Sequence, residues 1–198
     1  MKTDRNLVVS NQLVKGRYKL TKEEQNFIYL MISQISKDDK RFTEYQVHIK
    51  DLETAELTQK NYQRYRDFAR KLRSREIIIE DDAQILVTGW FSDIVYLKDT
   101  GYIKATISEK LKPYLLELKQ EFVQAKLPTL LKFNSKYTSR LFLSLKSDFD
   151  KQKKFNKNLF SIYDIGDLQN RFELPNSYNR YSNFKDKFLL KSIEEINI

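Results

Sequence analysis

Two groups of basic side chains are the strongest candidates for a functional site in this sequence. Residues 59–75 contain seven Lys and Arg side chains and a single acidic one. Within residues 183–197, Lys187, Lys191 and Glu194 share one side of a helix at spacings of four and three, with Lys185 on a flank, so this side is mainly basic. In residues 59–75 only Asp67 interrupts the basic residues, and such an unmixed group is suited to contact phosphate groups. Both groups therefore predict binding of a phosphate-bearing partner.

Each basic group needs a helix that buries its opposite side. In residues 59–75 the apolar stripe comprises Tyr65, Phe68, Ala69 and Leu72. In residues 183–197 the helical period predicts an apolar side formed by Leu189, Leu190, Ile193 and Ile196. A helix that reads a DNA major groove needs this division into a buried and a basic side. A solvated amphipathic helix is the alternative.

The charge distribution favours nucleic acid as the partner. The chain carries a formal net charge of +9, and its twelve Tyr and thirteen Phe are typical of a folded protein. Residues 1–119 hold 22 Lys and Arg against 18 Asp and Glu, whereas residues 120–198 hold 14 against 9. The shorter C-terminal part is thus the more basic per residue. Because no long lipid-seeking apolar face is present, nucleic acid is favoured over a membrane surface.

Residue counts argue against most catalytic chemistry. The only histidine, His48, stands in an alternating strand segment and cannot supply a two-histidine metal site. No cysteine is present, and none of the four glycines begins a phosphate-binding loop. We expect no enzymatic activity, no cofactor and no metal. Without a signal-like or membrane-length apolar stretch, a cytoplasmic protein is expected.

The order of predicted elements indicates an α+β fold. Thr21 and Glu24 have the spacing of a capping box. Asp81-Asp82 is interpreted as a hairpin turn rather than a cation site. Helices are predicted over about 22–35, 50–56, 59–75 and 108–119, the last capped by Ser108, and strands at 45–49, 77–79, 85–87, 95–97 and 103–107.

The second half repeats this plan. Ser135 caps a strongly periodic helix, a polar loop is predicted at 150–154, a short helix follows around 165–172, and the basic-faced helix comes last. We predict two tandem winged helix-turn-helix domains, residues 1–119 and 120–198. A winged helix needs strands after its recognition helix, whereas this sequence ends with that helix at Ile198. We therefore expect the second domain to lack its C-terminal wing.

Three segments carry a resemblance to a known family. They are Asn134–Lys146 (NSKYTSRLFLSLK), Phe184–Asn197 (FKDKFLLKSIEEIN) and, more diffusely, residues 64–79. The chain resembles the iteron-binding plasmid replication initiators, the Rep proteins built from two winged-helix domains. In this resemblance Phe184–Asn197 is similar to the recognition helix, with Ser192 where an alanine is expected.

The resemblance implies a function and partners. It implies a plasmid replication initiator that binds directly repeated sites (iterons) in double-stranded plasmid origin DNA to start replication. It further implies recruitment of the host replication initiator and helicase. Dimers joined through the first domain, in equilibrium with monomers, would repress the initiator's own promoter.

The expected DNA contacts follow from the two basic helices. Lysines more often bind phosphate than bases, so most should set affinity rather than sequence preference. The candidate residues are Arg64, Arg66, Arg70 and Arg73 in the first domain and Arg180, Asn183, Lys185, Lys187 and Lys191 in the second.

Proteins with other functions could have the same positively charged helices. A winged-helix transcriptional repressor would bind an inverted-repeat operator instead of direct repeats. A structural interaction module would dimerise through its Ile- and Val-rich sheet without binding DNA. An RNA-binding role is compatible with the charge, although no single-strand platform motif is present.

Overall fold

The described chain contains helices and short strands up to residue 126 and helices alone after it. The computed structural model describes residues 5–52, 62–98, 100–118, 121–155 and 159–197. The helices are α1 (Asn11–Lys15), α2 (Lys22–Ile32), α3 (Tyr62–Arg73), α4 (Lys112–Leu115), α5 (Leu127–Lys132), α6 (Lys136–Lys154), α7 (Ile165–Arg171), α8 (Tyr181–Phe184) and α9 (Lys191–Ile196). The strands are β1 (Asn6–Ser10), β2 (Glu44–His48), β3 (Glu76–Glu80), β4 (Ile85–Gly89), β5 (Phe91–Leu97), β6 (Tyr102–Ile107) and β7 (Phe122–Lys126).

A π-helical segment, Lys185–Leu190, joins α8 to α9 without a break. We call residues 181–196 the composite helix. Short 3₁₀ turns lie at Ile49–Asp51, Glu109–Leu111 and Asn176–Asn179. Most of the predicted helix at 50–56, and the first residues of the one at 59–75, lie outside the described residues.

Local signals in the sequence start the helices α2 and α6. The Thr21 hydroxyl accepts from the Glu24 N–H (3.2 Å), and the Glu24 carboxylate accepts from the Thr21 N–H (2.7 Å), so α2 begins at a complete capping box. The Ser135 hydroxyl accepts from the Tyr137 N–H (3.1 Å) at the start of α6. These two of the three predicted caps are confirmed.

The described strands form three small antiparallel sheets. They have the strand orders β1-β7, β2-β6-β5 and β3-β4. The turn between β3 and β4 is held by Asp81, whose side chain accepts from the N–H groups of Ala83 (2.9 Å) and Gln84 (3.0 Å). This confirms the predicted hairpin.

The β1-β7 pairing joins the beginning of the chain to residues beyond the predicted domain boundary. Asn6 pairs with Lys126, and Ser10 pairs with Phe122. Residues 122–126 therefore complete a sheet of the N-terminal unit. The division of the chain at residue 119 stays a prediction.

Two hydrophobic cores form, and α6 contributes to both. The larger one contains Phe27 and Met31 of α2, and Leu143 of α6 belongs to it. The smaller one consists of Leu141, Leu168, Phe172, Phe184 and Phe188. Because neighbouring residues of α6 enter different cores, this helix joins the N-terminal unit to the C-terminal one. Between residues 127 and 197, the described chain contains helices and no strand.

Two predicted elements were wrong. The helix expected from Ser108 to Lys119 is a 3₁₀ turn followed by the four residues of α4, and Ser108 makes no capping hydrogen bond. Pro113 lacks the N–H that a helix starting at Ser108 would need there. The polar loop expected at 150–154 is the last part of α6, where Lys146 and Asp150 form an ion pair (3.0 Å) at helical spacing.

Candidate nucleic-acid interface

The helix α3 presents its basic residues on the surface because its apolar stripe is taken up by the core. Tyr65, Ala69 and Leu72 are buried. Arg66 and Arg70, one helical turn apart, are exposed. Within the described part of the chain neither guanidinium group forms a hydrogen bond or an ion pair. Two neighbouring guanidinium groups without a carboxylate partner form a surface suited to phosphate.

The other two candidate arginines of α3 already have protein partners. Arg64 Nη2 lies 2.6 Å from Glu23 Oε1 on α2. Arg73 Nε donates to the carbonyl oxygen of Ser92 (2.9 Å) on β5. The structure thus separates the four predicted arginines into two that have free surfaces and two that help to hold α3 against its neighbours.

Arg75, at the end of the basic segment, has a structural role. Its Nε lies 3.0 Å from both carboxylate oxygens of Glu24. The Glu24 side chain is 2% exposed, so its charge is compensated by Arg75 and by the N–H of Thr21. This ion pair fixes the segment between α3 and β3 against the start of α2.

The second basic surface lies on the composite helix. Phe184 and Phe188 are buried in the smaller core. The side chains of Arg180 and of the three candidate lysines are exposed and form no hydrogen bond or ion pair among the described residues. The lysines are Lys185, Lys187 and Lys191. Asn183 differs, because its Nδ2 donates to the carbonyl oxygen of Ser177 (2.7 Å).

The predicted apolar side of this helix was only partly right. Leu189 and Ile196 pack against the cores, whereas Leu190 and Ile193 are each 40% exposed. The π-helical segment is the cause, since its wider turn changes the angle between successive residues. As a result Phe184, Phe188 and Ser192, rather than Leu190 and Ile193, form the buried line.

Two polar contacts attach the composite helix to α6. The hydroxyl groups of Ser192 and Thr138, both buried, are 3.3 Å apart. A larger side chain at position 192 would have no room, so serine serves the packing role expected of a small residue. At the end of the helix, Glu195 Oε2 accepts from the N–H groups of Asn134 (2.9 Å) and Ser135 (3.3 Å). A carboxylate is favourable at this helix N-terminus.

A buried arginine, which the sequence patterns did not single out, connects the two units. Arg140 donates to the carbonyl oxygens of Gly16 (3.1 Å) and Tyr18 (3.0 Å) in the N-terminal unit. It also donates to the carbonyl oxygen of Arg171 (2.7 Å) in the C-terminal unit. The signal in the sequence is a charged residue beside Leu141, within the apolar period of α6.

Two lysines lie at the same junction. Lys136 Nζ donates to the carbonyl oxygen of Leu20 (2.7 Å), and Lys22 Nζ donates to that of Leu130 (3.3 Å). Burial lowers the pKa of Lys22 from 10.5 to about 8, while the carboxylate of Glu195 acts in the opposite direction. Burial likewise lowers the pKa of Lys136. These two lysines are therefore partly buried and donate to backbone carbonyl oxygens instead of presenting free charges.

We also searched the described residues for a metal-binding cluster and for helices that could cross a membrane. The described residues contain no cluster of three or more His, Asp or Glu residues that could hold a metal ion. None of the helices formed by these residues has the length and apolar character needed to cross a membrane.

Comparison with known proteins extends over nearly the whole chain. A family model described as the initiator replication protein WH1 domain matches residues 6–146, and one described as the initiator Rep protein WH2 domain matches residues 164–198. The fold is similar to that of the Pi initiator protein, whose crystal structure was determined in complex with iteron DNA. The TM-score is 0.73 at 17% sequence identity, over 99% of this chain and 87% of that one. The predicted pair of winged-helix domains is confirmed.

Proposed function

The chain belongs to the initiator replication (Rep) protein family, and we propose that it binds the iterons of a plasmid origin to start replication. The DNA would be double-stranded and would contain the sites as direct repeats. A protein with this function would act in the cytoplasm, where plasmid DNA is located.

One observation carries this proposal: each winged-helix domain presents basic side chains that lack an acidic partner among the described residues. In the first domain these are Arg66 and Arg70, and in the second they are Lys185, Lys187 and Lys191. Unpaired cations on a helix are available for phosphate without breaking an existing ion pair. Arg64 and Arg73 remain candidates, although each would have to share its guanidinium with Glu23 or Ser92.

The junction between the domains supports binding of both helices to one site. Arg140 donates hydrogen bonds to three carbonyl oxygens that belong to both units, which stabilises the contact between them. Two modules reading one site together would bury an interface on the order of 1,000–2,500 Å² of protein surface. We propose that residues 120–198 recognise the origin repeat and that residues 1–119 provide further DNA contacts and dimerisation.

We also propose that a dimer of the chain represses its own promoter. The edge strand β4 supports this proposal, because Ile85 and Val87 are 63% and 56% exposed. In its sheet, β4 has only β3 as a neighbour among the described residues. An apolar edge with unpaired backbone groups is suited to pair with the same strand of a second copy. Monomers would then initiate replication and recruit the host initiator and helicase.

Binding to labelled duplexes at about 150 mM salt tests the main proposal. One duplex contains the direct repeats of a plasmid origin, one contains the same half-sites as an inverted repeat, and one is scrambled. A preference of roughly 1,000-fold for the direct repeats over the scrambled duplex would support an initiator. Equal, weak and salt-sensitive binding to all three would contradict specific recognition.

The inverted-repeat duplex distinguishes the second candidate function. A winged-helix repressor would prefer the inverted repeat, since the symmetry of its dimer matches that of the operator. The exposed β4 edge is compatible with such a dimer. A preference for the inverted repeat with no binding to direct repeats would therefore favour the repressor.

A further inference from the structure

The composite helix has a period of four residues through its buried line. Phe184, Phe188 and Ser192 are nearly inaccessible to solvent and are spaced four apart. A regular α-helix has 3.6 residues per turn, whereas a π-helical turn is wider. The π-helical segment Lys185–Leu190 thus brings every fourth residue to the same side, at about 90° per residue.

This period determines which residues lie farthest from the core. The line opposite the buried one contains Ser182, Asp186, Leu190 and Glu194, all of them exposed. Lys187 and Lys191 lie on one flank of this line, and Lys185 lies on the other. The middle of this line therefore presents an acidic and an apolar side chain, Asp186 and Leu190, with the lysines on both sides and a second carboxylate, Glu194, further along.

The position of these residues relative to DNA follows from the geometry of a major-groove helix. Such a helix turns its core side away from the duplex, so the centre of its outward surface faces the base edges. Its flanks approach the two phosphate backbones that border the groove. Lys185, Lys187 and Lys191 are accordingly placed for phosphates, which leaves the central line to contact bases.

Asp186 has one favourable kind of partner in that position. Its carboxylate is exposed and has no hydrogen bond or ion pair among the described residues. A phosphate group would repel it, whereas the N4 amino group of cytosine can donate a hydrogen bond to it. Leu190 cannot form hydrogen bonds, and its complementary group in the major groove is the methyl group of thymine.

We propose that Asp186 and Leu190 determine the sequence specificity of the composite helix, with Asp186 accepting from cytosine N4 and Leu190 contacting a thymine methyl group. This proposal rests on the proposed function of sequence-specific DNA binding. The two residues are four positions apart, or about 6 Å along the helix axis. Since base pairs are about 3.4 Å apart, the cytosine and the thymine lie within about two base pairs of each other.

Selection from a pool of randomised duplexes tests the proposal and does not require the sequence of the origin. The wild-type chain and the variants Asp186→Ala, Asp186→Asn and Leu190→Ser each select their preferred duplexes, which are then sequenced. The wild type is expected to enrich a motif containing the predicted cytosine and thymine. Asp186→Ala should lose the cytosine preference, about 10-fold to 100-fold at that position, and keep the rest of the motif.

The other two variants sharpen the assignment. Asp186→Asn should change the preference at the same position from cytosine to adenine, because an asparagine amide pairs with adenine N6 and N7. Leu190→Ser should relax the thymine position alone. Both side chains are exposed, Leu190 to 40%, and we expect both variants to fold.

Two matched variants control for charge. Lys187→Ala removes a flanking charge and should weaken binding to all duplexes while leaving the motif unchanged. Asp167→Asn removes an exposed carboxylate on α7 and should alter neither motif nor affinity.

The possible results separate the proposal from the function on which it rests. If the wild type enriches a motif and Asp186→Ala keeps it at every position, the assignment of Asp186 is overturned. If Leu190→Ser keeps the thymine position, the assignment of Leu190 is overturned. If the wild type itself enriches no motif, specific DNA binding is refuted, and the proposal fails with it.

Discussion

The guanidinium carbon of Arg140 lies 3.7 Å from the centre of the Tyr18 ring, in a site where Arg140 is 5% exposed. Phe172 of the C-terminal unit lies close to the same group, with its ring centre 4.6 Å away. One buried charge is thus placed between aromatic rings from both units and bonded to carbonyl oxygens of both. A guanidinium suits this position because it stacks on rings and donates in several directions.

We expect Arg140→Ala to lower the free energy of unfolding by about 3 kcal/mol, because it leaves buried carbonyl oxygens without donors. Arg140→Lys should recover only part of this loss, since an ammonium group cannot reach all three carbonyl oxygens. Urea unfolding measures both variants. The exposed Arg180 is the matched control, and Arg180→Ala should change stability by less than about 0.5 kcal/mol. Equal effects of Arg140→Ala and Arg180→Ala would contradict the role of Arg140.

The two unpaired arginines of α3 should act through phosphate contacts. We expect Arg66→Ala and Arg70→Ala each to reduce the slope of log K against log salt by about 0.9, and to do so for specific and scrambled duplexes alike. Binding measured between about 50 and 200 mM salt gives these slopes. Slopes that stay at the wild-type value for both variants would remove α3 from the DNA interface.

Arg75 should behave in the opposite way from Arg66. Arg75→Ala leaves the buried carboxylate of Glu24 without its cation, so we expect a loss of about 3 kcal/mol in the free energy of unfolding. The salt slope should stay within error for the protein that remains folded. Arg70→Ala, which changes an arginine on the same surface of α3 as Arg66, is the control and should leave the urea midpoint of unfolding unchanged. A stable Arg75→Ala variant with a reduced salt slope would assign this arginine to DNA instead.

The β4 edge should control self-association. We expect Ile85→Lys to convert dimers to monomers, because a charge on an apolar edge strand opposes strand pairing. Light scattering during gel filtration measures the mass. Val95→Lys introduces the same charge at a position on β5 that is 44% exposed and serves as the control. The monomeric variant should still bind direct repeats. Dimers that persist in Ile85→Lys would place the interface elsewhere.

Lys22 should make stability depend on pH between about 8 and 10. Its pKa in the folded chain is about 8, below the 10.5 of an unperturbed lysine, so the unfolded chain holds more protons in this range. Stability contributed by Lys22 therefore increases as the pH rises through this window.

Urea unfolding at about pH 7.5, 8.5 and 9.5 measures this effect. The wild type should gain stability relative to Lys22→Met as the pH rises, because only the wild type loses a buried positive charge when Lys22 is deprotonated. Lys37→Met is the control, since Lys37 is exposed and its variant should follow the wild type. A constant difference between the wild type and Lys22→Met at all three pH values would contradict the assignment.

Sequence patterns with short spacing predicted their structures well. The capping box of α2, the serine cap of α6 and the hairpin around Asp81 each depend on groups within four residues of one another. Such contacts form in nearly any fold that contains the segment. Ser108 is the exception, because Pro113 a few residues later removes a donor that its helix would need.

The candidate site was predicted less completely. Composition and helical period identified the two basic helices, and the exposed positions of Arg66, Arg70 and the three lysines agree with them. The period could not show that Arg64 and Arg73 have partners, because Glu23 and Ser92 lie 41 and 19 positions away. Nor could it show the π-helical segment, which alters the angle between residues that is constant in a regular α-helix.

Sequence patterns were sufficient to predict where most helices and strands begin, the basic character of two helices and the pair of winged-helix domains. These properties follow from residue types and from contacts between near neighbours. Tertiary structure alone decided which arginines are free, which residues of the composite helix point outward and how the two units are joined. Arg140 and Tyr18 are 122 positions apart in the sequence. Only folding brings the charge of Arg140 into contact with the ring and the carbonyl oxygen of Tyr18.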